Sequence, residues 1–202
     1  MHKLIYYVSP ENRTVDTIKQ TLLEHPEIKF ISLVGVDLGN NTTDEKIPVD
    51  LIIDDLEGFL NEGVQTDGSS VYLPEIAELN NAKVDIIPDL DVKWIVDYNY
   101  GNIDESNNLP VGTILIPAFL KHDSKLVGSR ATLKKAVTNL KTQLIGLFKN
   151  DENLLKYYGL NSIDEIKDIV LTTATELEFW VQTPCDRANF KHLSTSQSLK
   201  EQ

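Results

Sequence analysis

The hydrophobic pattern of this chain changes its period once, and the change divides the sequence into two parts. Up to about residue 122, apolar residues alternate with polar ones or form short runs, as in half-buried and fully buried β-strands. From Ser129 onward they recur at the spacing of one helix face. The residues on that face are Leu133, Ala136, Val137, Leu140, Leu144, Leu147 and Phe148. We therefore predict an α+β unit over residues 1–122 and a second, incomplete domain over residues 123–202.

Local signals place the individual elements. Thr14 is a suitable N-cap for a helix over residues 14–25, and Gly63 is suited to end a short helix over residues 54–63. The alternation predicts strands over 28–38, 46–53, 82–89, 91–100 and 113–122, with turn chemistry over 39–46 and a loop over 99–112. In the second part, the pattern predicts shorter helices over 151–158 and 162–170 and a strand over 170–184.

Composition excludes several classes of function. The formal net charge of −12 disfavours binding to nucleic acid or to anionic lipid, because an acidic surface repels phosphate groups. No apolar stretch approaches the roughly 20 residues needed to cross a bilayer, and the N-terminus lacks a signal-peptide pattern. The single cysteine, Cys185, permits no internal disulfide. These features predict a cytoplasmic location and no nucleic-acid or membrane partner.

Two glutamates in the last predicted strand are the first candidate site. Glu176 and Glu178 are two residues apart, so on a strand they project from the same face, about 7 Å apart. Carboxylates in that arrangement suit hard cations such as Mg²⁺ or Mn²⁺. The alternative is the solvated face of a half-exposed strand, which from spacing alone is the commoner situation.

A turn over residues 65–71 is the second candidate. Asp67 and Gly68 form a turn dipeptide, and Ser69 and Ser70 add hydroxyl groups. An aspartate there could accept a proton or bind an ammonium ion, although an ordinary turn explains the same residues. Arg130, at the start of the long helix, could bind an anion or simply lie on a solvated face.

The order of these features resembles the N-terminal part of glutamine synthetases over roughly residues 28–182. The phrases that carry the resemblance are KIP (46–48), FLNEGVQTDGSSV (59–71), VDIIPD (84–89), GSRATLKKAV (128–137) and TELEFW (175–180). The resemblance implies a β-grasp-like N-terminal domain followed by an incomplete α/β catalytic segment, consisting of helices and the first active-site strand. It implies a parent enzyme that uses ATP to join ammonia to the γ-carboxylate of glutamate.

The resemblance also implies roles for individual residues. Glu176 and Glu178 match the two family glutamates that bind the catalytic Mg²⁺ or Mn²⁺ ions, one on each metal. Asp67 matches the aspartate that helps to bind ammonium and takes its proton, with Ser70 as its neighbour in the loop. In the family this loop reaches the active site of an adjacent subunit of a ring, so the implied partners are other copies of the chain, glutamate, ammonium and ATP.

The chain also departs from the family pattern. Residues 80–83 read NNAK in place of Glu-Ser-Asp-Met, Val71 follows the two serines where the family often has tryptophan, and the stretch before Glu176 is long. These features resemble a divergent, larger clostridial-type branch. Family members are much longer and carry their other metal, ATP and glutamate ligands further on, so we expect this chain alone to be inactive. Two alternatives are open, a free-standing β-grasp regulatory module and a γ-glutamyl ligase for another amine.

Overall fold

The longest strand, at residues 109–122, organises the fold. The computed structural model describes residues 3–74 and 83–178, and within them eight strands form a mixed, mainly antiparallel sheet. The strands are β1 (Tyr7–Val8), β2 (Ile28–Val36), β3 (Thr42–Pro48), β4 (Val64–Asp67), β5 (Lys83–Pro88), β6 (Trp94–Asp104), β7 (Leu109–His122) and β8 (Lys125–Val127). The α-helices are α1 (Val15–Glu24), α2 (Val49–Ile52), α3 (Leu56–Glu62), α4 (Gly128–Asn150) and α5 (Glu152–Tyr157).

Strand β7 is long enough to pair with four other strands. Its first half lies between β6, which is antiparallel to it, and β2, which is parallel to it. Its second half pairs in antiparallel fashion with β5 and β8. The path β1-β6-β7-β2-β3 is thereby joined to the β4-β5 pair through one strand. The chain is thus a mixed α/β protein, in agreement with the predicted α+β class.

The core lies where helices α1 and α3 cover apolar strand residues. Ile31 and Leu33 of β2 and Ile114 and Ile116 of β7 are almost completely buried. The helices contribute Ile18, Leu22, Leu56, Phe59 and Leu60 to the same cluster. Each such side chain stabilises the fold by about 1.5–3 kcal/mol relative to an exposed position. Trp94 of β6 is also buried, and its indole N–H donates to the carbonyl of Asp89 at 3.0 Å.

Several predicted elements are confirmed. Thr14 caps α1, since its side chain accepts a hydrogen bond from the N–H of Thr17 at 3.2 Å. Gly63 ends α3 with φ 69° and donates its N–H to the carbonyl of Phe59. The predicted strands over 82–89 and 113–122 correspond to β5 and β7, and the long helix begins one residue before Ser129.

The loop predicted over residues 99–112 is wrong. These residues form the ends of β6 and β7 and the four-residue turn between them, which begins at Glu105. Side chains complete this tight hairpin, because Asp104 accepts from the N–H of Ser106 and Asn107 accepts from that of Leu109. The Asn and Gly residues at 99, 101, 102, 107 and 108 fall at the turn or at a register shift between Asn99 and Ile103, whereas Pro110 and Gly112 are paired residues of β7. Turn residues are compatible with strands at such irregular positions.

Three other predictions need correction. The turn over 39–46 is shorter, since β3 already begins at Thr42, and the strand over 46–53 ends at Pro48 and continues as α2. The predicted strand covers only the end of β3, because the first part of β3 is polar. The helix over 162–170 is reduced to one 3₁₀ turn, Ile163–Glu165.

The strand predicted over 170–184 is wrong for residues 170–178, which carry neither helix nor strand. A strand requires a neighbour for its N–H and C=O groups, and these residues pair with no strand of the described sheet. Residues 179–184 of that prediction lie outside the described residues.

The chain divides into two compact units, residues 1–154 and 155–202. The first unit contains the whole described sheet together with α4, and therefore extends beyond residue 122. Assignment of residues 123–202 to a catalytic domain stays a prediction. No helix in the described part of the chain is both long and apolar enough to cross a bilayer.

Candidate functional site

The Asp67 turn, which we define as residues 67–70, projects polar side chains from the end of β4. Asp67 is the last residue of this strand and caps the 3₁₀ turn Gly68–Ser70 that follows it. Gly68 is buried, whereas Asp67, Ser69 and Ser70 are exposed. The backbone at Gly68 is therefore buried, while the Asp67 carboxylate and both serine hydroxyl groups face outward.

Strand pairing and buried side chains fix the two sides of this turn. On the N-terminal side, β4 pairs with β5, and Thr66 is buried. On the C-terminal side, Val71 and Leu73 are buried in the hydrophobic core, with Tyr72 exposed between them. The turn is consequently short and anchored at each end, which limits how far Asp67 can move.

The carboxylate of Asp67 is held in its ionised form. Its Oδ1 accepts a hydrogen bond from the backbone N–H of Ser69 at 2.9 Å. This bond and a second one from the Ser69 side chain keep the pKa of Asp67 below its ordinary value, and slight desolvation opposes them only weakly. An exposed, ionised carboxylate can bind a small cation such as ammonium and can accept a proton from it.

Asp37 connects the turn to the rest of the fold, and our sequence analysis did not identify it. It follows β2 and is 1% exposed. Its Oδ2 accepts from the N–H of Tyr72 at 2.8 Å, and its Oδ1 accepts from the N–H of Asn41 at 2.9 Å. The sequence signal was an aspartate followed by Leu-Gly-Asn-Asn directly after a buried strand, but spacing could not reveal a partner 35 residues away.

Arg130 pairs with a buried carboxylate. Its Nε and Nη2 donate to Oδ2 of Asp89, at 3.0 and 2.6 Å. The adjacent Ser129 donates its hydroxyl to the carbonyl of Asp37 at 2.5 Å. The first turn of α4 thereby contacts both Asp37 and Asp89. Three segments of the sequence that are far apart in the chain are joined in this way.

The two predicted metal ligands lie in the second unit. Glu176 and Glu178 are exposed on the irregular segment 166–178, and Leu177 between them is 82% exposed. Asp67 belongs to the first unit. The prediction that a strand directs both carboxylates to one face has no support in residues 170–178.

The residues present do not by themselves fit a divalent cation. Mg²⁺ and Mn²⁺ require about six oxygen ligands. Among residues 3–74 and 83–178, no three side chains of His, Cys, Asp or Glu lie together in a group that could hold a metal ion. Glu176 and Glu178 supply the right type of donor but only part of the set.

Comparison with solved structures gives a weak structural likeness. No protein family model and no curated protein matches this sequence. A solved structure of a GmaS/ADP complex matches with a TM-score of 0.40 and 16% identity. The match covers 60% of this chain and 24% of the GmaS chain, so this chain spans about a quarter of that protein. At this TM-score the likeness supports no assignment of function.

Proposed function

We propose that this chain is the N-terminal portion of a ligase of the glutamine synthetase type, with a β-grasp domain in its first unit. The reaction would use ATP to activate the γ-carboxylate of glutamate, which ammonia or another amine then attacks. The order of the sequence phrases supports the proposal, and so does one structural observation. The segments that carry three of these phrases contact one another through Asp37, Asp89, Ser129 and Arg130.

The phrases resemble the family through their sequence alone, so the contacts between their segments in the structure are an independent observation. The Asp-Gly-Ser-Ser phrase ends beside Tyr72, whose N–H binds Asp37. The Pro-Asp phrase contributes Asp89, and the Gly-Ser-Arg phrase contributes Ser129 and Arg130. Segments that depend on one another for their hydrogen bonds are expected to occur together in a protein.

In the proposed reaction, Asp67 binds the ammonium ion and takes its proton. Its carboxylate is ionised and exposed, as binding of a cation requires, while its lowered pKa makes it a weak base for the proton. Because the turn projects outward from β4, Asp67 can reach an active site that belongs to another copy of the chain. Glu176 and Glu178 would contribute two oxygen ligands to Mg²⁺ or Mn²⁺, and the remaining ligands and the ATP site would come from sequence outside this chain.

The test uses the complete product of the gene that encodes this chain. We expect release of ADP and phosphate that depends on both glutamate and an amine, with the γ-glutamyl product identified by mass spectrometry. A panel of ammonium, methylamine, ethanolamine and polyamines distinguishes a glutamine synthetase from a ligase for another amine. ATP hydrolysis that requires none of these amines, or no hydrolysis at all, would contradict the proposal.

A pair of matched variants tests the role of Asp67. Asp67→Asn removes the proton acceptor, so we expect kcat/KM for the amine to fall by about 10²-fold with little change in Tm. Asp50→Asn makes the same change at an exposed position of α2 and should leave kcat/KM within twofold. Equal activity of the two variants would remove Asp67 from the mechanism. We also expect the 202-residue chain alone to form no γ-glutamyl product.

A further inference from the structure

The Asp37 carboxylate divides its hydrogen bonds between two regions of the first unit. Oδ1 accepts a hydrogen bond from the backbone N–H of Asn41 at 2.9 Å, in the hairpin between β2 and β3. Oδ2 accepts from the backbone N–H of Tyr72 at 2.8 Å, two residues beyond Ser70. The Asn41 side-chain amide lies within 3.3 Å of Oδ1 and 3.1 Å of Oδ2. All these partners are donors, so the site requires two acceptor oxygens.

Backbone bonds strengthen the same junction. The N–H of Leu38 donates to the carbonyl of Tyr72 at 3.1 Å, so Tyr72 is held through both its N–H and its C=O. The hydroxyl of Ser129 donates to the carbonyl of Asp37 at 2.5 Å. Asp37 thereby joins three segments of the first unit, which are the β2–β3 hairpin, the chain directly after the Asp67 turn and the start of α4.

The charge of Asp37 is matched to these donors. Burial raises the pKa of this carboxyl group, but the hydrogen bonds from Tyr72, Asn41 and Gly39 lower it by more, so the net effect is a lowered pKa. A neutral amide at the same position must direct its NH₂ group at one of the N–H donors. Whichever way an Asn side chain turns, one donor faces another donor and loses its bond.

We infer that Asp37 is a positioning residue for the Asp67 turn. By fixing Tyr72, it determines where the chain leaves the turn and therefore where the Asp67 carboxylate is presented. The inference rests on the proposed function for the reaction in which Asp67 takes part. The restraint on residues 67–72 is a property of the fold that can be measured without that reaction.

Hydrogen exchange of the 202-residue chain measures the restraint directly. In Asp37→Asn we expect the amides of residues 69–72 to exchange at least tenfold faster, with β7 unchanged. Asp44→Asn is the matched control, because it makes the same substitution at an exposed position of the same hairpin. If Asp37→Asn does not fold, Asn41→Ala removes one partner of the carboxylate and should produce a smaller increase over the same residues. Unchanged exchange at 69–72 in the variant that folds would overturn the inference.

Steady-state kinetics of the complete protein measure the consequence for the proposed reaction. We expect Asp37→Asn, or Asn41→Ala in its place, to raise KM for the amine at least fivefold while KM for ATP stays within twofold. A purely structural role would lower the amount of active protein and leave KM for the amine unchanged, and that result would overturn the positioning role. Absence of ligase activity in the unsubstituted protein would refute the proposed function instead, and hydrogen exchange would still decide whether Asp37 restrains the turn.

Discussion

Arg130 and Asp89 are joined by two hydrogen bonds to a single carboxylate oxygen, across 41 residues of sequence. The Asp89 side chain is buried, and the Arg130 side chain is about one-third exposed. The guanidinium also lies over the ring of Phe119, 5.3 Å from its centre. The pair therefore fixes the first turn of α4 to the end of β5.

The first prediction is that Arg130→Met destabilises the first unit. It leaves a buried carboxylate without its guanidinium partner, which costs roughly 1–3 kcal/mol given the partial exposure of the arginine. Lys134→Met is the control, because Lys134 also lies over Phe119 but pairs at 3.4 Å with the exposed Asp91. We expect this variant to lose less than about 1 kcal/mol in urea denaturation. Equal losses would show that the Arg130–Asp89 pair adds nothing beyond a surface ion pair.

A second prediction concerns the glycine that ends α3. Gly63 has φ 69° and ψ −146°, a conformation open almost only to glycine, and a Cβ there would lie 1.9 Å from the carbonyl oxygen of Ile86. Gly63→Ala should therefore lower the free energy of unfolding by more than about 3 kcal/mol, because a main-chain clash adds to backbone strain. The measurement is the midpoint and slope of urea unfolding.

Gly146→Ala provides the opposite case. Gly146 lies inside α4, and a Cβ there meets no atom within 4 Å. We expect stabilisation by about 0.5–1 kcal/mol, because alanine favours the helix more than glycine does. Two variants that changed stability in the same direction would contradict the backbone geometry described for these glycines.

The third prediction is a pH dependence that arises from Asp104. A hydrogen bond from Lys29, followed in importance by bonds from Ser106, lowers the pKa of Asp104 to about 2. A lowered folded-state pKa contributes stability above the unfolded-state value of about 4, and this contribution is lost as the pH falls toward 2. Asp104→Asn should therefore flatten the fall in stability between pH 4 and pH 2.

Chemical denaturation at half-unit pH steps measures this effect. Asp97→Asn is a suitable control, because it removes a carboxylate from an exposed position of the same strand, β6. We expect the control to keep the slope of the unsubstituted chain. If Asp104→Asn kept that slope as well, the Lys29–Asp104 pair at 2.7 Å would not influence titration in solution.

The fourth prediction concerns divalent cations. Glu176 and Glu178 are exposed and supply only part of a coordination shell, so we expect the 202-residue chain to bind Mn²⁺ with a Kd on the order of 0.1–1 mM. Glu176→Gln/Glu178→Gln should weaken binding at least fivefold in isothermal titration calorimetry. Asp164→Asn/Glu165→Gln removes two other exposed acids of the same unit and should change the Kd by less than twofold. Micromolar binding that persisted without both glutamates would mean that other residues hold the metal.

Elements with strong local signals were predicted correctly. Each of these signals acts within one turn or one strand. They are Thr14 before the apolar face of α1, Gly63 after the short helix α3, and the apolar runs of β5 and β7. The prediction failed where pairing decides the structure. Residues 99–112 contain turn-forming residues but extend a hairpin, and residues 170–178 alternate like a strand but pair with no strand of the described sheet.

In the candidate site, too, local features were predictable from the sequence and contacts between distant segments were not. The sequence by itself predicted a turn over residues 65–71, because Asp, Gly and Ser favour that geometry locally. The structure shortens this turn, since residues 65–67 belong to β4. Only the tertiary structure decided what holds the turn, since Asp37 reaches Tyr72 across 35 residues. A buried carboxylate takes whichever N–H groups the packed core brings within about 3 Å, and packing between distant segments cannot be read from the spacing of residues along the chain.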